Sequence, residues 1–105
     1  MRRQFIEKLS IDPYPGTLNL EIIDPESLQS FNALKAKKGI EITPEDPSFC
    51  SARCYSVLIN GQLRAGIVLP LVPSYPENKM ELVASGKIKE ILSLNTVDLL
   101  EVEPL

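Results

Sequence analysis

Thr17 and Asn19 stand two residues apart in the run Pro13-Tyr14-Pro15-Gly16-Thr17-Leu18-Asn19-Leu20. The alternation from Thr17 to Ile22 is that of a half-buried strand, which puts Leu18, Leu20 and Ile22 on one face and Thr17, Asn19 and Glu21 on the other. A hydroxyl and an amide oxygen side by side are hard, neutral ligands. They suit Mg²⁺, which takes a few protein oxygens and leaves the rest of its octahedron to phosphates and water. The same residues also read as a Pro-Gly turn feeding an amphipathic strand and nothing more. Glu81 lies in a second apolar run, Met80-Glu81-Leu82-Val83-Ala84. Its carboxylate can accept a hydrogen bond from a substrate hydroxyl or serve as a general base; the plainer reading is a surface acid on a strand. Lys87 and Lys89 fall near the start of a short expected helix, where free N–H groups favour anions. They face phosphates there or are simply solvated.

The chain contains no histidine, which removes Ser-His and Cys-His nucleophile pairs and His-based metal sites. Catalysis must then rest on carboxylates, hydroxyls, backbone donors or a borrowed metal. Cys50 and Cys54 are the two cysteines, four residues apart in an expected strand. That spacing separates their Cα atoms by about 13 Å, too far for a disulfide, which needs about 7 Å or less. Both read as small buried thiols in a reducing compartment, hence a cytoplasmic protein. A net charge of −3 with scattered basic residues argues against nucleic acid. The local cluster of Lys35, Lys37 and Lys38 reads as a solvated helix end. No apolar run approaches the roughly 18 residues of a membrane span, and no apolar stretch of a signal peptide follows the basic start.

The elements that must position these residues are short. With 105 residues, the chain is expected to form one domain over 1–105. Residues 2–10 read as a helix with Phe5, Ile6 and Leu9 on one face, stopped by Asp12-Pro13. Asp24-Pro25-Glu26 is a helix start, with a capping Asp and Pro at the first position. Leu28, Phe31 and Leu34 supply its buried face and Gly39 its end, with a short strand at 39–43. Phe49 to Ile59 is a strand, Asn60-Gly61 a two-residue type I′ turn, and Gln62 to Leu69 the return strand. Pro70, Pro73 and Pro76 stiffen the following loop. A strand at 80–84, a helix at 86–92 and a strand at 97–102 complete the chain. The fold expected is mainly β, five or six strands closed or nearly closed into a small barrel, which hides strand edges.

The run Pro-Tyr-Pro-Gly-Thr-Leu-Asn-Leu resembles the signature turn of the archaeal-type CTP-dependent riboflavin kinases. The similarity continues through Ile59-Asn60-Gly61, Ala65 to Pro70, Met80 to Ala84 and Leu94 to Val102, in the family's order. The resemblance implies a small six-stranded barrel that transfers the γ-phosphoryl group of CTP to the 5′-hydroxyl of riboflavin, giving FMN and CDP. Carried over by position, Thr17 and Asn19 hold Mg²⁺ and Glu81 contacts the flavin and acts in catalysis. Ala84, Ser85, Gly86, Lys87, Ile88 and Lys89 belong to the nucleotide site.

The sequence also departs from that family. Its first strand and glycine-rich loop have no counterpart before Arg2, which implies an opened, five-stranded barrel, weaker CTP binding and a sheet edge by which two copies can pair. Val72-Pro73-Ser74-Tyr75 stands where the family carries a threonine toward the flavin, leaving Ser74 as the candidate contact. Ala84-Ser85 replaces Ala-Pro, and Asn95-Thr96-Val97-Asp98 replaces an Asp-Gly-Asp-like turn. A non-catalytic module that binds flavin or nucleotide is the alternative, and a purely structural β-domain the third reading.

Overall fold

The computed structural model describes residues 2–13, 18–43, 51–91 and 101–105. Thr17, Cys50 and the stretch 92–100 lie outside the described residues, as do the side chains of Arg2 and Lys89. The elements run α1 (Arg2–Leu9), β1 (Leu18–Glu21), α2 (Pro25–Lys35), β2 (Ile40–Ile42), β3 (Ala52–Ile59), β4 (Leu63–Pro70), β5 (Lys79–Val83), α3 (Ile88–Ile91) and β6 (Val102–Pro104).

The six strands make one antiparallel sheet in the order β1-β5-β4-β3-β2, with β6 beside β2 on the outer side of β3. Ala52 to Cys54 pair with β2, while Val57 to Ile59 pair with β6. Among the described residues β1 pairs with β5 alone, so the sheet is open rather than closed into a ring. It keeps the strand count expected of the barrel.

The alternation of side chains sorts the core into two layers. Tyr55, Val57, Ile59, Ala65, Ile67, Met80 and Leu82 face one side, with Phe31 of α2 and Ile88 of α3 packed over them. Leu18, Leu20 and Ile22 join this layer at the β1 edge, as their period-two spacing requires. The opposite side gathers Cys54, Ile42 and Val83 beneath Phe5, Leu9 and Ile11. Gly66 makes that contact close: a Cβ there would lie 3.6 Å from Ile11 Cδ1 and 3.7 Å from Leu9 Cδ1.

The helix ends show what local signals achieve. The Asp24 carboxylate accepts from Ser27 N at 2.9 Å, and Pro25 opens α2. That bond holds the Asp24 carboxyl below its ordinary pKa. α2 stops at Lys35, before Gly39, and Tyr55 Oη lies 3.3 Å from Lys35 O, the helix's last carbonyl, and 2.8 Å from Lys37 O just beyond it. Gly39 serves packing instead. A Cβ there would come within 2.8 Å of Cys54 O and 3.0 Å of the Tyr55 ring. In α1, Phe5 and Leu9 are buried and Ile6 is exposed, since one helical step turns it about 100° off the Phe5–Leu9 stripe. α1 also seals the outside of β2: Gln4 exchanges bonds with the Thr43 backbone, and Lys8 Nζ donates to Glu41 O at 2.8 Å.

The hairpin departs from its expected form by one residue. Asn60 and Gly61 both have positive φ, 51° and 66°, and Gln62 N donates to Ile59 O at 3.0 Å. The ladder resumes at Ile59↔Leu63, leaving Gln62 unpaired in a three-residue loop. Asn60 then trades two bonds with Glu101: its N–H donates to Glu101 O at 2.7 Å, and its Oδ1 accepts from Glu101 N at 2.8 Å. This latch starts β6 at Val102, where the sequence placed the end of a strand. Cys54 is a free thiol with no exposed surface, and burial pushes it up to about 11.

Two outcomes follow from the packing. Gly39→Ala should destabilise the fold by about 1–3 kcal/mol, as overpacking against backbone does, read as a lower midpoint in chemical denaturation. In a Cys50→Ser background the native protein should react with a thiol reagent at pH 8 far more slowly than the unfolded chain. An equal rate would show that Cys54 is not sealed.

Candidate active site

The register decides which polar residues meet. Asn19 of β1 lies directly opposite Glu81 of β5, and Glu21 opposite Lys79. Glu81 is in turn paired with Val68 of β4. All four polar residues lie on the α1 side of the sheet, but α1 covers the Val83 end and leaves this strip open. The strip runs into an open cavity of about 300 Å³ lined by Asn19, Leu20, Glu21, Pro76, Asn78 and Lys79.

The loop from Leu71 to Asn78 is tied down on two sides. Asn78 O accepts from Ile22 N at 2.8 Å, and Asn78 Nδ2 donates to Glu21 Oε1 at 3.3 Å. Toward α2, Asn32 Nδ2 donates to Glu77 Oε1 at 2.9 Å and Lys35 Nζ to Glu77 O at 3.0 Å. Lys35 of the basic cluster is therefore a clamp on this loop, not a solvated end. Ser74 is exposed and takes a left-handed backbone, φ 66°, a strained state for a non-glycine residue.

Glu81 is largely covered, with 19% of its side chain exposed, and Lys79 Nζ lies 3.8 Å from its Oε1. The same ammonium sits 5.6 Å from the centre of the Tyr75 ring. Tyr75 Oη is shut off from solvent and meets no partner in hydrogen-bond geometry among the described residues. Burial first, then the Glu81 charge and side-chain oxygen, push the phenol up to about 12. The carboxylate is thus felt by the hydroxyl without being aligned to accept from it.

The segment after β5 divides by side chain. Ala84 and Ile88 are buried in the main core, so any ligand contact from them must use backbone. Ser85 is exposed and its Oγ accepts from Asp12 N at 3.1 Å, which joins this segment to the chain entering β1. Gly86 is half-buried against Ile91. Lys87 pairs loosely with Glu90 at 3.6 Å, and α3 is a single turn, too short for a helix-terminus anion site. Asn19 and Glu81 are therefore brought together, and Ser85 reaches the backbone of Asp12. Thr17 lies outside the described residues.

The amide oxygen of Asn19 suits a divalent cation that takes most of its ligands from elsewhere, and the Glu81 carboxylate is an acceptor beside it. Among the described residues no three Asp, Glu, Cys or His side chains converge as a protein-only cage would need. Sequence reasoning missed Tyr75 and Lys79. Lys79 was readable as the i−2 neighbour of Glu81 on one strand face, whereas Tyr75 reaches the site through the loop's fold.

A family model, CTP-dep_RFKase, described as Domain of unknown function DUF120, matches residues 1–103. The chain belongs to the CTP-dependent riboflavin kinase family. It is 40% identical over 103 residues to the riboflavin kinase of Methanocella arvoryzae, covering 96% of this chain and 45% of that protein. The riboflavin kinase of Archaeoglobus fulgidus is 38% identical over 105 residues, 97% of this chain and 44% of that protein. That of Methanothermobacter thermautotrophicus is 32% identical over 97 residues, 92% of this chain and 75% of that protein. The chain spans about half the length of the first two relatives. The family match covers every polar residue of the strip, and no helix among the described residues is long and apolar enough to cross a membrane.

The Tyr75 environment sets a pH dependence. Its folded pKa is raised above the unfolded value near 10, so its share of stability is fully present below pH 10. It is lost as pH rises through about 12. Denaturation midpoints should fall between pH 10 and 12 in the wild type, and less steeply in Tyr75→Phe. Equal slopes would show that Tyr75 titrates normally.

Proposed function

We propose that this domain is a CTP-dependent riboflavin kinase that makes FMN and CDP. The observation that carries the reading is the pairing of Asn19 with Glu81 across β1 and β5, with Asn19 lining an open cavity, in a chain of this family. In the proposed complex Mg²⁺ supplies charge to the phosphoryl oxygens. Asn19 would hold it through its amide oxygen, together with the hydroxyl of Thr17, two residues earlier in the sequence. Glu81 takes the hydrogen bond of the riboflavin 5′-hydroxyl and receives its proton. A largely covered carboxylate opposite the metal ligand suits that task, because the accepting group must sit within hydrogen-bond reach of the reacting oxygen.

Phosphoryl transfer needs alignment and charge stabilisation more than covalent help, so a histidine-free site is sufficient. Ser85, Gly86, Lys87 and Lys89, with the backbone of Ala84 and Ile88, are assigned to the nucleotide. Ser74 is assigned to the flavin side of the loop. The compartment proposed is the cytoplasm, whose reducing conditions suit the unpaired Cys54 thiol.

Incubation of the protein with riboflavin, CTP and Mg²⁺ should yield FMN and CDP in equal amounts. A folded protein that binds riboflavin or CTP and forms no FMN would support the non-catalytic alternative instead. Thr17→Val combined with Asn19→Leu should abolish the Mg²⁺-dependent part of CTP affinity, at least tenfold or about 1.4 kcal/mol, without unfolding, since Asn19 is exposed. A wild-type CTP affinity indifferent to Mg²⁺ would remove these residues from the metal site.

A further inference from the structure

Tyr75 sits between Pro73 and Pro76, directly after the left-handed Ser74. A loop so constrained holds its side chain in one place at a cost in backbone strain. The side chain it holds there ends in a buried hydroxyl that is close enough to Glu81 to feel its carboxylate but makes no hydrogen bond of good geometry among the described residues. Such a group is costly to leave unsatisfied, and native proteins rarely do so without a compensating role. Lys79 fixes where the hydroxyl belongs. One ammonium lies over the Tyr75 ring at 5.6 Å and against Glu81 Oε1 at 3.8 Å, so the phenol and the carboxylate flank the same cation.

We infer that Tyr75 is a positioning residue for Glu81: with riboflavin in place, its hydroxyl donates to one carboxylate oxygen and leaves the other turned to the substrate's reacting hydroxyl. The assignment rests on the kinase reading above. A phenol is a donor that carries no charge of its own, so it can orient the carboxylate without competing for the proton as an ammonium would. Its oxygen is closed to solvent, which excludes direct contact with a ligand entering from the cavity and leaves Glu81 as the group through which it acts. Lys79 keeps the carboxylate near the phenol in the free protein; its loose contact and half-exposed position give way when substrate enters.

The test is a kinetic cycle of Tyr75→Phe, Glu81→Gln and the double variant, with riboflavin, CTP and Mg²⁺. Tyr75→Phe should lower kcat about tenfold, equivalent to about 1.4 kcal/mol, with KM for CTP unchanged. Its melting temperature at neutral pH should change little, because the oxygen removed makes no hydrogen bond of good geometry in the free protein. In the Glu81→Gln background the same change should cost nothing further. A Tyr75→Phe protein with wild-type kcat, or an equal loss in both backgrounds, overturns the assignment and leaves the kinase reading standing. A wild type that forms no FMN overturns the kinase reading and the assignment with it. If Tyr75→Phe does not fold, the ring ¹³Cζ resonance of Tyr75 in the wild type decides. Movement on saturation with riboflavin supports the new bond, and a fixed resonance rejects it.

Discussion

Eight consecutive residue pairs join β3 to β4, from Ala52↔Pro70 to Ile59↔Leu63, and every other strand takes its place from this ladder. β3 spends its outer edge twice, on β2 near its start and on β6 near its end. β4 passes the register on to β5 through Gly66↔Val83, Ile67↔Leu82 and Val68↔Glu81, and β5 hands it to β1. Side chains alternate across a sheet, so a slip of one residue anywhere along this path would exchange the faces of everything beyond it. Leu82, fully buried, would turn outward, and Glu81 would enter the apolar layer. The cost of burying an unpaired carboxylate enforces the register as firmly as the gain from burying leucine. The site is thus specified by the core.

The hairpin turn is where that ladder is set. Asn60 and Gly61 adopt the left-handed backbone that their types favour, and Asn60 uses its side chain a second time to hold Glu101. One residue therefore fixes both the β3–β4 register and the entry of β6. The two strands close over the main core at the same end, with Val102 packing against it.

Signals carried by neighbours in sequence were legible. The alternation from Leu18 to Ile22, the Asp24-Pro25 helix start and the Asn60-Gly61 turn each depend on backbone geometry within a few residues, and each appears where it was expected. What was not legible depends on partners far along the chain. Just past the end of α2, Tyr55, eighteen residues beyond Lys37, bonds the carbonyls of Lys35 and Lys37. Ile6 is exposed because α1 meets the sheet along the narrow Phe5–Leu9 stripe. The Asn19–Glu81 pairing followed from the resemblance only as two separate roles. That they face each other is a property of register, which no local pattern contains. Tyr75 was invisible for the same reason.

The position of the open strip has its own physical cause. α1 has eight residues, about 12 Å of helix, and its buried stripe is used up on Cys54, Ile42 and Val83. Its polar side chains are committed to β2, through Gln4 and Lys8. Asn19 and Glu21 of the neighbouring strip are exposed. On the other side of the same strands, Phe31 of α2 and Ile88 of α3 pack in the main core, with Leu18, Leu20 and Ile22 against it. A sheet packed on one side and only partly covered on the other has one region where strand residues meet solvent with rigid backbone behind them, and there the sequence places Asn19, Glu21, Lys79 and Glu81 in opposed pairs. Polar groups on paired strands hold their spacing better than the same groups on a loop, which is what alignment of a metal, a hydroxyl and a phosphoryl group demands. The short helix is therefore part of the site's construction: one more turn over the strip would cover the residues that the rest of the fold has placed there.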